Sequence, residues 1–413
     1  MVALKALPRR RTRIGLDIGA AGVRAVQLTR QAQTRGLDGY LVTNAACGGR
    51  SPSEPGAQAT GQADHVGTNA ACGGRSPSEP GAQATGQDPA LALGVRIRTV
   101  IRADRGGRVS FRGKAVAAAL ASPDVEFHTL ELPAAALRAD EIEAAQIVRF
   151  EVERLMSNAH APFETRHWAL PETTVPAPSA IGVGAAHEII NRTIEACAEA
   201  GLTCADVDTS ATALCRFGAV LHTWPKDQVW GVLDVGDRQT RLVLCLDDTP
   251  VLVRTTGPGG RAWTQRVADA LLISFKAAEI HKRDHGIALT GRLSAVKTPA
   301  DESRHAETRS ELASLILGAV RADLNEIAAE IKRSYEYVLS CYPGRCAGDL
   351  VLCGGGSALH NLPEFLGKAL GIPVRRASTY LDDPSCRLQT GVDRPGAPGL
   401  ELLALAVGLA VTE

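Results

Sequence analysis

Ile14–Leu28 reads IGLDIGAAGVRAVQL, Trp230–Leu244 reads WGVLDVGDRQTRLVL, and Asp349–Val374 reads DLVLCGGGSALHNLPEFLGKALGIPV. In the first two segments an apolar run enters an Asp-x-Gly turn and leaves as a second apolar run. That is the pattern of a β-hairpin whose tip carries a carboxylate, Asp17 or Asp234, beside a run of backbone N–H groups. Such a tip can cradle phosphate while the Asp orients a hydrated Mg²⁺. The third segment reads as a strand, a triple glycine and a short helix, which lets a flat adenosine approach the backbone closely. One Asp-x-Gly turn is ordinary hairpin chemistry. Two of them, in fixed order ahead of GGGS and a helix, point to a nucleotide site.

The order of these segments resembles the phosphate-1, phosphate-2 and adenosine motifs of the actin-like ATPase superfamily (ASKHA), which includes actin, DnaK-type chaperones, FtsA and sugar kinases. The resemblance implies an α/β fold of two related lobes. Length agrees, since 413 residues can bury one large or two medium cores. Lys plus Arg and Asp plus Glu balance at 45 each, so no global field favours nucleic acid as a partner. Arg9, Arg10, Arg11 and Arg13 make only the start basic, which reads as an entry segment before a strand or as a contact with anionic lipid or a partner. The ten cysteines form no CxxC pair and no zinc-spaced cluster. Met1–Pro8 is too short for the apolar core of a secretory signal. The longest apolar run, Leu402–Val411, is about half a membrane span. The expectation is a soluble protein of a reducing compartment.

An exact repeat interrupts the first half: TNAACGGRSPSEPGAQATGQ stands at Thr43–Gln62 and again at Thr68–Gln87. It holds hardly any large apolar residue and cannot form a packed core. Residues 43–89 are therefore expected to be a disordered insertion. The first lobe is expected over 12–42 and 90–222, with a small inserted subdomain at about 90–170, and the second lobe over 223–413. Within these bounds the patterns predict strands at Val95–Ile101, Val125–Leu132, Trp168–Leu170 and Ala180–Ala185. Helices are expected at Lys114–Leu120, Ala139–Met156, Glu188–Ala200 and, joining the lobes, Val207–Val220. On the helix Ala139–Met156, Ile142, Ala145, Val148, Val152 and Leu155 fall on one face. In the second lobe a strand at Val251–Thr255 precedes GPGG and a helix Arg261–Ile273. Thr298–Arg309 reads as a loop, Leu312–Tyr342 as a long helix with a buried stripe, and Leu400–Val411 as a core helix near the adenosine site.

Several segments also resemble the PilM family of type IV pilus assembly proteins. EIKRSYEYVLSCYPG (330–344), followed by the GGGS strand and NLPEFLGKALGIPV, is similar to that family's C-terminal block. LELPAAALRADEIEAAQIVRFEVERL (130–155) resembles its LxLP-then-helix stretch with an aromatic-Glu-x-Glu signature, here Phe150, Glu151 and Glu153. The resemblance implies an FtsA-like fold and an ATP-binding cytoplasmic scaffold. Such a scaffold is peripheral at the inner membrane of a pilus or type II secretion platform and binds the N-terminal tail of a PilN-like membrane protein. Other platform components are further implied partners, and the membrane is touched only through the partner.

Carried over residue by residue, the resemblance places Asp17, Gly19, Ala20, Ala21, Gly22 and Arg24 in the first phosphate loop. Asp234, Gly236 and Thr240 fall in the second, and Gly259 and Gly260 in the GG turn before the interdomain helix. Glu279 and Lys282 stand where a Glu-x-x-Lys pair flanks adenine and ribose, although an ordinary i,i+3 helix pair reads equally well. Gly354, Gly355, Gly356 and Ser357 complete the pocket. ATP and magnesium are the implied ligands, with Asp17 and Asp234 reaching the metal through water. Glu151 and Glu153 are the expected contacts for the partner's tail.

Departures from the pattern bear on catalysis. Ala20 and Ala21 replace hydroxyl side chains, Arg24 replaces Lys, and Asp237, Arg238 and Arg261 introduce charge. No convincing catalytic base stands out, so at most a slow ATPase is expected. Two further classes remain. A filament-forming division protein like FtsA is expected to carry an amphipathic membrane helix after the core. A kinase of the sugar-kinase branch needs a carboxylate base facing a small-molecule pocket.

Overall fold

In the computed structural model, the pattern of Ile14–Leu28 is present as β1 (Arg11–Ile18) and β2 (Gly22–Ala32), antiparallel, with Asp17 opposite Arg24. The structure describes residues 11–32, 38–49, 89–102, 111–132, 141–157, 161–289, 300–390 and 399–411. The first sheet also contains β3 (Asp38–Gly49), β4 (Ala115–Leu120), β8 (Thr203–Thr209) and β14 (Leu388–Thr390), in the order β14-β3-β2-β1-β4-β8. β3, β2 and β1 run antiparallel, β1, β4 and β8 run parallel, and β14 lies parallel to β3.

The second sheet repeats the plan. It holds β9 (Gln228–Val235), β10 (Gln239–Leu246), β11 (Thr249–Pro258), β12 (Cys346–Cys353) and β13 (Val374–Arg376), ordered β11-β10-β9-β12-β13. Its first three strands are antiparallel and its last two join in parallel. With β14 set aside, the sheets match strand for strand, and Asp234 faces Arg241 as Asp17 faces Arg24. The expected two-lobed α/β plan is present.

Each sheet is covered on both faces, so its strands alternate between two cores. On the first sheet, Ile14, Leu16, Val23 and Ala25 pack against Ile97 and Val100 of α1 (Pro89–Arg102), with Ala196 and Cys197 of α3 (His187–Glu199). On its other face Val26, Leu28 and Ala117 meet α4 (Ser210–Leu221) and α9 (Leu400–Ala410). Across those two helices lie Trp230, Val232, Val243 and Val351 of the second sheet, in the same apolar cluster. The far face of the second sheet is covered by α5 (Gly260–Leu271), α6 (Phe275–His285), α7 (Ala300–Cys341) and α8 (Leu362–Leu370). A separate antiparallel sheet, β5 (Glu126–Leu130), β7 (Ala180–Ala186) and β6 (Phe163–Ala169), carries α2 (Glu141–Leu155). Trp168 of β6 donates its indole N–H to the Pro250 carbonyl at 2.8 Å, tying this small sheet to the second one.

The joint between sheets depends on two glycines. A Cβ on Gly15 would overlap the backbone of Ala406 and Ala410 in α9, and one on Gly408 would overlap the Ala213 carbonyl in α4. Without side chains there, α9 lies directly against β1 and α4, backbone to backbone.

Several expectations are corrected. Val95–Ile101 is helical: Leu93, Ile97, Val100 and Ile101 form one face that packs into the first core, while Val95 stays exposed. Where a helix is expected at Lys114–Leu120, Ala115–Leu120 forms a strand. Its alanines fit an inner strand flanked by β1 and β8, where packing on both faces overrides the helix preference of alanine. Residues 203–209 are likewise β8, and the joining helix starts only at Ser210, where Thr209 accepts from Thr212 N at 3.2 Å. β3 extends to Gly49, into the stretch expected to be disordered, because pairing with β2 uses backbone groups and needs no large side chain. Residues 50–88 lie outside the described residues. α1 and β4 belong to the first lobe, so the small subdomain begins at β5 and reaches β7, beyond the expected 90–170. The polar stretch read as a loop is helical from Ala300, with no Gly or Pro to stop it, and 290–299 lie outside the described residues. β14 and α9 return to the first sheet, so the second lobe does not hold all of 223–413.

Two glycines, one in open space and one in the joint, give substitutions of opposite sign. Gly318 in α7 has open space around it, so Gly318→Ala should stabilise by roughly 0.8–1 kcal/mol through helix propensity. Gly408→Ala should instead destabilise by about 1–3 kcal/mol through overpacking. Urea unfolding of both variants reads the difference.

Candidate functional site

A cleft of about 670 Å³ opens between the two hairpins and the triple glycine. Thirteen of the expected residues line it: Asp17, Gly19, Ala20, Ala21 and Arg24 from the first hairpin; Asp234 and Gly236 from the second; then Gly260, Glu279, Lys282, Gly354, Gly355 and Gly356. Four do not. Gly22 closes the first turn by hydrogen bonds in both directions with Gly19, at 2.9 and 3.3 Å. Thr240 is fully buried and donates to Pro258 O at 2.8 Å, while Ser357 is fully buried and donates to Gly354 O at 2.7 Å. Gly259 caps α5 against the hairpin tip. Glu151 and Glu153, on α2, do not line the cleft.

The hairpin tips are built alike. In the first, Arg24 Nη1 donates to Asp17 Oδ2 at 2.8 Å across the strand pair. In the second, Arg241 Nη2 and Nε donate to Asp234 Oδ2 at 2.7 and 3.2 Å. Burial pushes the Asp17 carboxyl above its ordinary value, with the Arg24 charge opposing. Burial pulls on Arg241 in the other direction, but the Asp234 and Asp17 charges outweigh it and raise the guanidinium. Arg241 therefore belongs electrostatically to both hairpins.

The second tip is also docked onto the start of α5. Gly259, Gly260 and Arg261 donate their N–H groups to the carbonyls of Arg238, Gly236 and Asp237, each at 2.9 Å. These first donors of the helix are thus satisfied by the hairpin. Beyond them Lys282, almost fully buried, donates to Gly260 O at 3.0 Å, Thr264 Oγ1 at 2.6 Å and Glu279 Oε2 at 2.7 Å. Burial alone would raise the Glu279 carboxyl, yet bonds from Lys282 and Thr264 hold it below its ordinary value. The i,i+3 pair is thus real, and it also forms part of the cleft wall.

Opposite this wall, Gly354 adopts φ +80°, a left-handed conformation that suits glycine, and donates to Glu401 O at 2.9 Å. Glu401, Leu402 and Leu405 of α9 line the cleft beside it, so the expected core helix stands next to the triple glycine. Gln239 reaches from the second hairpin to the Ser122 carbonyl at 2.6 Å, bridging the cleft floor.

Sequence reasoning missed Arg241, Phe275 and Arg96. Arg241 carried a signal, because it follows Asp234 at the spacing by which Arg24 follows Asp17. Phe275, at the rim with Arg261 stacked 5.8 Å from its ring centre, carried none. Arg96 was hidden by the reading of α1 as a strand; its Nε and Nη2 are buried without a hydrogen-bond partner.

Comparison with known proteins agrees with this architecture. Residues 231–395 match the family model described as cell division protein FtsA. The fold is similar to that of a structure described as the PilM-PilN type IV pilus biogenesis complex, with TM-score 0.65 and 21% identity over 98% of each chain. Ethanolamine utilization protein EutJ from Carboxydothermus hydrogenoformans gives TM-score 0.47 and 14% identity, over 98% of this chain and 91% of that one. MreB 5 of Spiroplasma citri bound to AMPPNP gives TM-score 0.41 and 14% identity, over 97% of this chain and 95% of that one. Sequence comparison with curated proteins finds no match. The likeness to the PilM-PilN structure at TM-score 0.65, together with the repeated sheet order, gives the chain an actin-like fold. Among the described residues, no helix is long and apolar enough to cross a membrane.

The Lys282–Glu279–Thr264 network should couple energetically. Lys282→Ala should cost about 1–3 kcal/mol, the scale of leaving buried partners unsatisfied. Adding Glu279→Ala should cost less in that background than in the wild type, a coupling that a double-mutant cycle of unfolding free energies measures directly.

Proposed function

We propose that this chain is an ATP-binding scaffold of a type IV pilus, or related type II secretion, platform at the cytoplasmic face of the inner membrane. The observation that carries the nucleotide reading is convergence: two like hairpins and a triple glycine, distant in sequence, border one cleft between two sheets. Phosphates would lie at the hairpin tips, near Arg24 and Arg241, and the base against Gly354–Gly356, where the glycine backbone permits close approach. Because the same cleft borders both sheets, a ligand there would favour one angle between them. The likeness over the whole chain to the PilM–PilN structure supports the pilus reading and a PilN-like membrane protein as partner.

For the partner site we propose α2. Its apolar stripe is partly spent: Ala144 is buried and Val148 and Val152 pack against the small sheet, whereas Ala145 and Leu155, expected on that face, are exposed. Phe150 is 62% exposed and stands beside Glu151 and Glu153. Glu151 accepts from Arg154 at 3.1 Å, a surface pair that a basic tail could replace at small cost. A tail with apolar and basic residues fits that combination. The second reading, a division protein like FtsA, is favoured by the family match over 231–395. Pelleting with lipid vesicles in the absence of any partner would support it.

ATP, supplied with or without MgCl₂, should raise the melting temperature, as a ligand at a hundred times its Kd adds about 2.7 kcal/mol. No shift under either condition would remove the nucleotide reading. Glu151→Lys with Glu153→Lys should weaken capture of the partner's N-terminal tail while leaving the ATP shift intact. Unchanged capture would move the partner site off α2.

A further inference from the structure

The resemblance implies magnesium beside the phosphates, and the two hairpins test that implication. Asp17 and Asp234 stand at equivalent positions, and each is already engaged by the arginine opposite it, at 2.8 and 2.7 Å. Both carboxylates are buried. Oδ2 of Asp234 accepts two N–H groups from Arg241. Its other oxygen, Oδ1, lies so near the Gly354 backbone that a Cβ there would overlap it. Among the described residues, no group of three or more His, Cys, Asp or Glu side chains is placed to hold a metal ion. Mg²⁺ keeps several waters and needs only one or two carboxylates, so the count alone decides nothing. The neighbours decide it. A cation ordered by these carboxylates would sit beside two guanidinium groups of like charge that already hold them. The residues present do not fit the metal.

We propose that the cleft binds a nucleoside oligophosphate without a divalent cation, with Arg24 and Arg241 as the counter-charges in the metal's place. The inference rests on the nucleotide reading above. A guanidinium offers five N–H donors in a planar fork that matches phosphate oxygens. Arg241 holds Asp234 through Nε and Nη2, and Nη1 takes no part in that pair. Arg96, Arg238 and Arg261 line the same cleft and add positive charge to it. Asp17 and Asp234 are then positioning residues. Each fixes the rotamer of one long arginine at the hairpin tip, so less conformational freedom is lost when phosphate arrives. Arg24 in place of a lysine and Arg241 at the matching position of the second hairpin are parts of one device.

The test is calorimetric titration of the full chain with ATP, in excess EDTA and in excess MgCl₂. The expected result is binding in EDTA at least as tight as in MgCl₂. Arg241→Gln should melt below the wild type, because buried Asp234 loses its counter-charge, and the folded variant should lose about tenfold or more in affinity for ATP in EDTA. If that variant does not fold, Arg241→Lys, which keeps the charge and loses the fork, is read the same way. Binding that appears only with MgCl₂, or an Arg241 variant with wild-type affinity in EDTA, overturns the proposal and leaves the nucleotide reading standing. Absence of ATP binding in both buffers overturns that reading and the proposal with it.

Discussion

The close approach of α9 to β1 and α4 is the constraint on which the rest of the molecule depends. At Gly15 and Gly408 no side chain separates the backbones. A helix that sits so close to both neighbours holds β1 and α4 together as one unit. Its inner residues, among them Ala404, Ala406 and Ala410, are small and buried for the same reason. Glu401 and Leu402 are then carried to the cleft as rigidly as the strands carry the hairpins. The site is precise because its walls are ends of regular elements anchored in one shared core.

On that frame the electrostatics follow from the duplicated sheet plan. The same strand register sets an arginine across from an aspartate at both tips. Neither buried carboxylate is left uncompensated, which would be costly in a low-dielectric cleft. Lys282 has the converse problem: burial pulls it below its ordinary value, against the opposing pull of Glu279, and three acceptors around it keep its N–H groups satisfied. The charged pairs in the walls of the cleft are thus bonded to one another before any ligand enters.

The two halves of the site differed in how readily they could be read from sequence. Hairpins and the triple glycine were legible, because Asp-x-Gly between apolar runs and GGGS before a helix are local patterns fixed by backbone geometry. α1 and β4 were not. The alternating Val95, Ile97 and arginines of α1 look like a strand, and the alanines of β4 look like a helix; in both cases the neighbours decide. The partner face of α2 was half legible. Period alone placed Ala145 and Leu155 inward, whereas Ala144 is buried and the small sheet receives Val148 and Val152, with Gly182 and Gly184 making room for the latter. Arg241 could have been found by laying one hairpin over the other, since the signal was a relation between distant segments.

β14 and α9 come from beyond residue 387 yet complete the sheet that begins at Arg11. On the ribosome, the opening strands are made long before the elements that cover them. At about 5–20 residues per second, tens of seconds separate the two events. During that interval the inner face of β1 and β2, with Gly15 bare and Val26 and Leu28 unburied, has no native cover from α9. The nascent chain therefore carries an open apolar sheet through most of its synthesis, and a truncated product would carry it permanently.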